Sequence, residues 1–182
     1  MARILCGILL LLELRGFSFC MSGSRWQKLI YYTQLSNLIA ALSALMLCIF
    51  GDLTWIAPVR YLSTCMLILT FLVTICVLIP MGGDPKEFLW SGNSLYHHVL
   101  CPVLSTSSYV FFEQHSSMIW LPVIVTTVYG LIMLYLNAAR KIDGPYPFFR
   151  VYNQPVAATV VWMAVLTAVM AAISFGVTRI AR

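Results

Sequence analysis

Two short stretches of the chain together hold hydroxyl side chains that could act as a nucleophile and imidazoles able to accept a proton. The first is Tyr31-Tyr32-Thr33-Gln34-Leu35-Ser36-Asn37, and the second is Tyr96-His97-His98-Val99-Leu100-Cys101-Pro102. A threonine hydroxyl is a weak nucleophile until a base within hydrogen-bonding reach takes its proton, and a neutral imidazole is such a base. Thr33 with His98 would supply that pair, and the chemistry would be attack on a carbonyl. The same residues also suit a plain structural role. Thr33, Ser36 and Asn37 recur at i, i+3 and i+4 and so share one helical face. Ala40 and Ser43 or Ala44 continue it with small side chains, the pattern by which spanning helices pack and hydrogen-bond to one another. Spacing alone leaves both readings open.

Helical phase separates the two histidines. His98, Cys101, Ser105 and Ser108 fall on one polar stripe, whereas His97 leads to Leu100, Leu104 and Phe111. His98 is therefore expected to face the interior as the base, with His97 as the alternative. Pro102 has no N–H for the carbonyl of His98, four residues earlier, so a kink and a free carbonyl are expected there. Adjacent histidines do not converge easily on one zinc, and no second ligand set has suitable spacing, so no metal is expected. Glu13 either orients a histidine or hydrogen-bonds across helices. Glu113 is read as interfacial.

These residues need helices to place them, and the composition says of what kind. Apolar residues make up 61% of the 182-residue chain and charged residues 9%, far from the balance of a soluble domain. The expected fold is all-α: one domain over residues 1–182, a bundle of six transmembrane helices. The segments are Ala2–Met21, Leu29–Phe50, Pro58–Pro80, Ser94–Phe112, Met118–Ala139 and Pro155–Thr178, each near the length that spans a bilayer. Glu13 and Arg15 interrupt the first apolar run and no small-x-small site closes it, so it reads as a retained helix rather than a cleaved signal. Turn residues mark the connectors at Ser22-Gly23-Ser24, Gly51-Asp52, Gly82-Gly83-Asp84-Pro85 and Asp143-Gly144-Pro145. The short link His115–Ser117 predicts that its two helices are antiparallel neighbours. The net charge of +5 comes from basic residues scattered near the ends of apolar runs, which is the placement of interface anchors and not of a nucleic-acid surface. The aromatic stretch Pro145–Tyr152 reads as an interfacial belt. All six cysteines lie in apolar segments without a C-x-x-C pair, as packing residues do.

The order of these motifs resembles the androgen-induced and androgen-dependent membrane hydrolase family, and more closely its bacterial six-helix relatives. The resemblance rests on Tyr31-Tyr32-Thr33-x-x-Ser36-Asn37, on Arg60, on His97-His98-x-x-x-Pro102 and on Pro145-Tyr146-Pro147-Phe148, in order over nearly the whole chain. It implies hydrolysis of fatty-acid esters of hydroxy fatty acids inside a membrane, by a threonine nucleophile and a histidine. It carries Thr33 over as the nucleophile, while spacing to the proline points to His97 on the eukaryotic pattern and to His98 on the bacterial one. The bacterial relatives imply a multi-pass protein of the cytoplasmic membrane. Ser36 stands where the eukaryotic members have an acidic residue, and Ser107 and Ser108 replace another after the proline. The expected partner is a lipid or fatty-acid ester, with no soluble cofactor. Ser36 or Asn37 would donate to the oxyanion, and an elongated apolar pocket beyond Thr33 and His98 would take the acyl chain. The rival reading is a non-catalytic membrane protein: a small transporter, a lipid-binding protein or a subunit of a complex.

Overall fold

The computed structural model describes residues 1–20 and 26–181. The turn expected at Ser22-Gly23-Ser24, and the charges of Arg25 and Arg182, lie outside the described residues. Within them the chain is helical, with no strand. The long helices are α1 (Ala2–Cys20), α2 (Tyr32–Phe50), α3 (Ala57–Val73, continued by a π-helical turn Thr74–Leu78), α6 (Cys101–Phe112), α7 (Leu121–Ala138) and α8 (Val156–Ile180). Two short helices, α4 (Pro85–Trp90) and α5 (Gly92–Ser94), precede a second π turn, Leu95–Leu100, which runs straight into α6.

Local chemistry sets several boundaries. Proline occupies the first turn of α3, α4 and α7, where a missing N–H costs nothing and the fixed φ suits the helix. The α4 helix, which the sequence reading took for part of a turn, starts where Asp84 accepts from the backbone N–H of Lys86 at 2.9 Å, an N-cap bond.

Four helices are long and apolar enough to cross a membrane: Tyr32–Phe50, Ala57–Leu78, Leu121–Ala138 and Val156–Ile180. The distribution of side chains is that of a membrane protein. Ile4, Leu42, Phe111, Ile124, Leu131 and Val160 are exposed, whereas Glu13, Asn37, Arg60, His97 and Ser105 are fully buried or nearly so. Such an arrangement has a driving force only where the surroundings are themselves apolar.

The α3 helix is the hub. It packs against α2 and α6 on one side and α7 and α8 on the other, while α1 closes the first group by lying on α2 and α6. The two helices flanking His115–Ser117, α6 and α7, were expected to be neighbours but scarcely touch, because α3 comes between them. A second correction concerns Pro145–Tyr152. Tyr146, Phe148 and Phe149 are buried; Tyr146 stacks on Phe148, Phe149 meets both edge-on, and Phe148 reaches Trp162 of α8. Most of the stretch is therefore a plug folded into the α3–α7–α8 side of the bundle, and Tyr152 is the aromatic left outside.

Candidate functional site

Thr33 sits in the first turn of α2, half-buried, where the plug meets the bundle. The phenol of Tyr146 accepts from the Thr33 backbone N–H at 3.3 Å and lies 3.4 Å from Thr33 Oγ1. Burial raises the pKa of this phenol above its ordinary value, and the hydrogen bonds to Thr33 only partly offset that, so Tyr146 keeps its proton and can donate it. The neighbours expected to serve an oxyanion are already engaged. Ser36 Oγ donates to the Thr33 carbonyl at 2.9 Å and pairs with Thr70 Oγ1 at 3.1 Å. Asn37 Nδ2 donates to the same carbonyl at 2.7 Å. Both side chains are buried beneath Thr33, so they fix its turn of helix.

Thr33 and His98 line one open cleft of about 730 Å³, together with Phe19, Tyr31, Phe88, Asn93 and residues 145–147. No hydrogen bond joins them directly. His98 is half-buried, and its Nδ1 lies 2.7 Å from the carbonyl of Phe88 in α4. A carbonyl can only accept, so Nδ1 carries the hydrogen and the neutral ring keeps its lone pair on Nε2. The unforeseen α4 helix is thus what orients this imidazole.

His97 is the fully buried histidine, contrary to the phase argument. The π turn explains the reversal. Closing i→i+5 bonds, such as Cys101 N–H to the carbonyl of Tyr96, it advances through a smaller angle per residue than an α-helix. His97 is thereby carried onto the buried stripe of Cys101, Ser105 and Ser108, and His98 is turned toward the cleft. The same register moves the carbonyl orphaned by Pro102 from His98 to His97, five residues earlier. Asn37 Nδ2 supplies the missing donor to it at 3.4 Å. The His97 ring lies against α1, with Nε2 3.6 Å from Glu13 Oε2 and the ring edge-on to Phe17.

Behind Thr33 and Tyr146 a second, narrow cavity of about 40 Å³ runs between α2, α3, α7 and α8. Its wall carries Thr70, Thr74, Thr126, Thr127 and Thr167, and their hydroxyls are turned to partners. Thr126 pairs with Tyr32 at 2.7 Å, Thr127 with Thr167 at 3.2 Å, and Thr74 donates to the carbonyl of Thr70 at 2.8 Å. Methyl groups, aromatic rings and Met163 are left to face the space. Met163 fits because residue 130 is glycine: a Cβ there would stand 2.7 Å from its terminal methyl.

At the other end of the bundle, Glu113 is buried and not merely interfacial. Arg60 grips it with Nε at 2.8 Å and Nη2 at 2.9 Å, and Ser108 donates to it at 2.6 Å. Ser43 and Ser105 take up further guanidinium hydrogens at 3.2 and 3.3 Å. Arg60 had a signal in the sequence, a cation opening an apolar helix, but nothing in the spacing paired it with Glu113. No protein-family model, curated protein or solved structure matches the chain.

Proposed function

We propose that the chain is a six-helix intramembrane hydrolase of long-chain lipid esters, with Thr33 as nucleophile and His98 as base. The observation that carries this reading is the shared cleft: a hydroxyl and an imidazole with a free Nε2 line one opening, and an apolar cavity begins behind the hydroxyl. The remaining two crossings would be α1 and the helical run through α5, the π turn and α6. Their carboxyl groups, Glu13 and Glu113, face protein and not lipid.

In this mechanism the ester enters from the bilayer with its carbonyl at Thr33. Thr33 Oγ1 attacks the carbonyl carbon as its proton passes to His98 Nε2. Tyr146 donates its phenolic hydrogen to the developing oxyanion, the role first assigned to Ser36 or Asn37. The C–O bond to the alcohol breaks, the alcohol leaves with the proton from His98, and an acyl-threonine remains. Water from the open cleft then adds to the acyl carbon as His98 takes its proton; the bond to Thr33 Oγ1 breaks, His98 returns the proton to Oγ1, and the fatty acid departs. No cofactor enters these steps. The inner cavity is far below the roughly 300 Å³ at which ligand pockets begin, so an acyl chain enters it by displacing Met163.

A lipid-binding protein without catalysis is the second reading, and the absence of a hydrogen bond between Thr33 and His98 favours it. The experiment that decides is labelling of purified protein with a fluorophosphonate, alongside turnover of a long-chain ester. Wild type should label and turn over, and Thr33→Ala should do neither. Equal labelling or turnover in both sinks the hydrolase.

A further inference from the structure

Among the described residues, the buried side-chain atoms without a hydrogen-bond partner are five: both carboxyl oxygens of Glu13, both ring nitrogens of His97, and Oδ1 of Asn37. All three residues are completely buried. They belong to one contact, the crossing of α1, α2 and the π turn. Glu13 Oε2 and His97 Nε2 are 3.6 Å apart, and the Asn37 amide already reaches the His97 carbonyl. Unpartnered polar groups at such depth are strongly disfavoured, so five in one place require an account.

Donor and acceptor types supply it. A carboxylate, a histidine nitrogen without hydrogen and an amide oxygen can only accept. With Glu13 ionised and His97 neutral, the crossing has too few hydrogens to satisfy its acceptors. One added proton relieves the closest pair: a Glu13 hydroxyl donates to His97 Nε2, 3.6 Å away, and the ring's own hydrogen then sits on Nδ1. The remaining Glu13 oxygen has the Cys101 thiol beside it. The other charged or titratable groups around the crossing are committed elsewhere: Arg60 to Glu113 and His98 to Phe88.

We propose that Glu13 and His97 form a proton-binding site inside the bundle, holding one proton as a neutral carboxylic acid hydrogen-bonded to His97 Nε2. The backbone is shaped for it. Gly16 lies one turn from Glu13, and a Cβ there would stand 2.3 Å from His97 Nε2. Only a glycine lets the ring come close enough to α1 to meet the carboxyl. The site is independent of the hydrolase reading. It also gives His97 a task other than Thr33's base, because its Nε2 lone pair is occupied by Glu13.

The test uses the full chain in detergent micelles at neutral pH. Infrared difference spectra between wild type and Glu13→Gln should show loss of a protonated-carboxyl stretch that shifts on deuteration. Loss of a carboxylate band instead overturns the proposal. Glutamine keeps an N–H donor for Nε2, so the variant should retain the wild-type unfolding midpoint, and a large drop counts against a neutral acid. Should Glu13→Gln not fold, nitrogen NMR of His98→Gln/His115→Gln protein isolates His97. A neutral ring with hydrogen on Nδ1 is expected. An imidazolium, or hydrogen on Nε2, overturns the site.

Discussion

His97 and His98 are neighbours in sequence and occupy opposite environments. His98 lies on an open cleft, held by a backbone carbonyl, with one nitrogen available to whatever enters. His97 lies in a dry crossing between helices, its ring pressed on α1 and its nitrogens facing only protein. One π turn makes the difference, by changing the angle between successive residues.

The sharpest way to break this contrast is to remove each ring. His98→Ala should lower ester turnover by about 10²–10⁴-fold, the usual worth of a general base, with the unfolding temperature unchanged. His97→Ala should do the reverse, retaining a measurable part of turnover while the protein melts earlier. The opposite pattern of rates would transfer the base to His97. Tyr146→Phe comes next. It should lose roughly 10²–10³-fold in kcat with KM little altered, as expected for an oxyanion donor, and still label with the fluorophosphonate. In the dry region Gly16→Ala should destabilise by about 1–3 kcal/mol, an overpacking cost, read as a lower unfolding midpoint. If it costs nothing, the ring does not lie where described. The smallest effect is expected at Gly130→Ala, which pushes Met163 into the inner cavity. Long-chain esters should slow by a few-fold while a short, water-soluble ester is hydrolysed as before.

The helical class was legible because apolar runs bounded by glycine, proline and charge leave the backbone one economical solution, although four helices, not six, are long and apolar enough to span. Thr33, His98, His97, Asn37 and Glu13 were legible as polar residues in apolar surroundings. What could not be read was which histidine pointed where. An α-helical phase was assumed; Pro102 was visible, but the Asn37 amide on the His97 carbonyl and the close approach to Gly16 come from other helices. Tyr146 was missed as a partner of Thr33 for a related reason. An aromatic loop beside an arginine has the same composition whether it lies along the interface or folds inward, and contacts with Tyr129 and Trp162 decide it. The Arg60–Glu113 pair was invisible because its partners are far apart in the chain.

That distance has a consequence for how the protein is made. Arg60 and Glu113 are separated by 53 residues, and a ribosome releases α3 long before the end of α6. Until Glu113 arrives, the guanidinium has no counter-charge, and an arginine at the centre of an inserting helix costs about 2.5–3.5 kcal/mol on insertion scales. Arg60 stands in the first turn of α3, so in the nascent chain its long side chain can reach back to the headgroups. Residence in the bundle begins only when α6 delivers the carboxylate. Ribosome-bound chains ending before residue 113 should therefore hold α1 to α3 loosely against one another, with their mutual packing completed by a helix that does not yet exist.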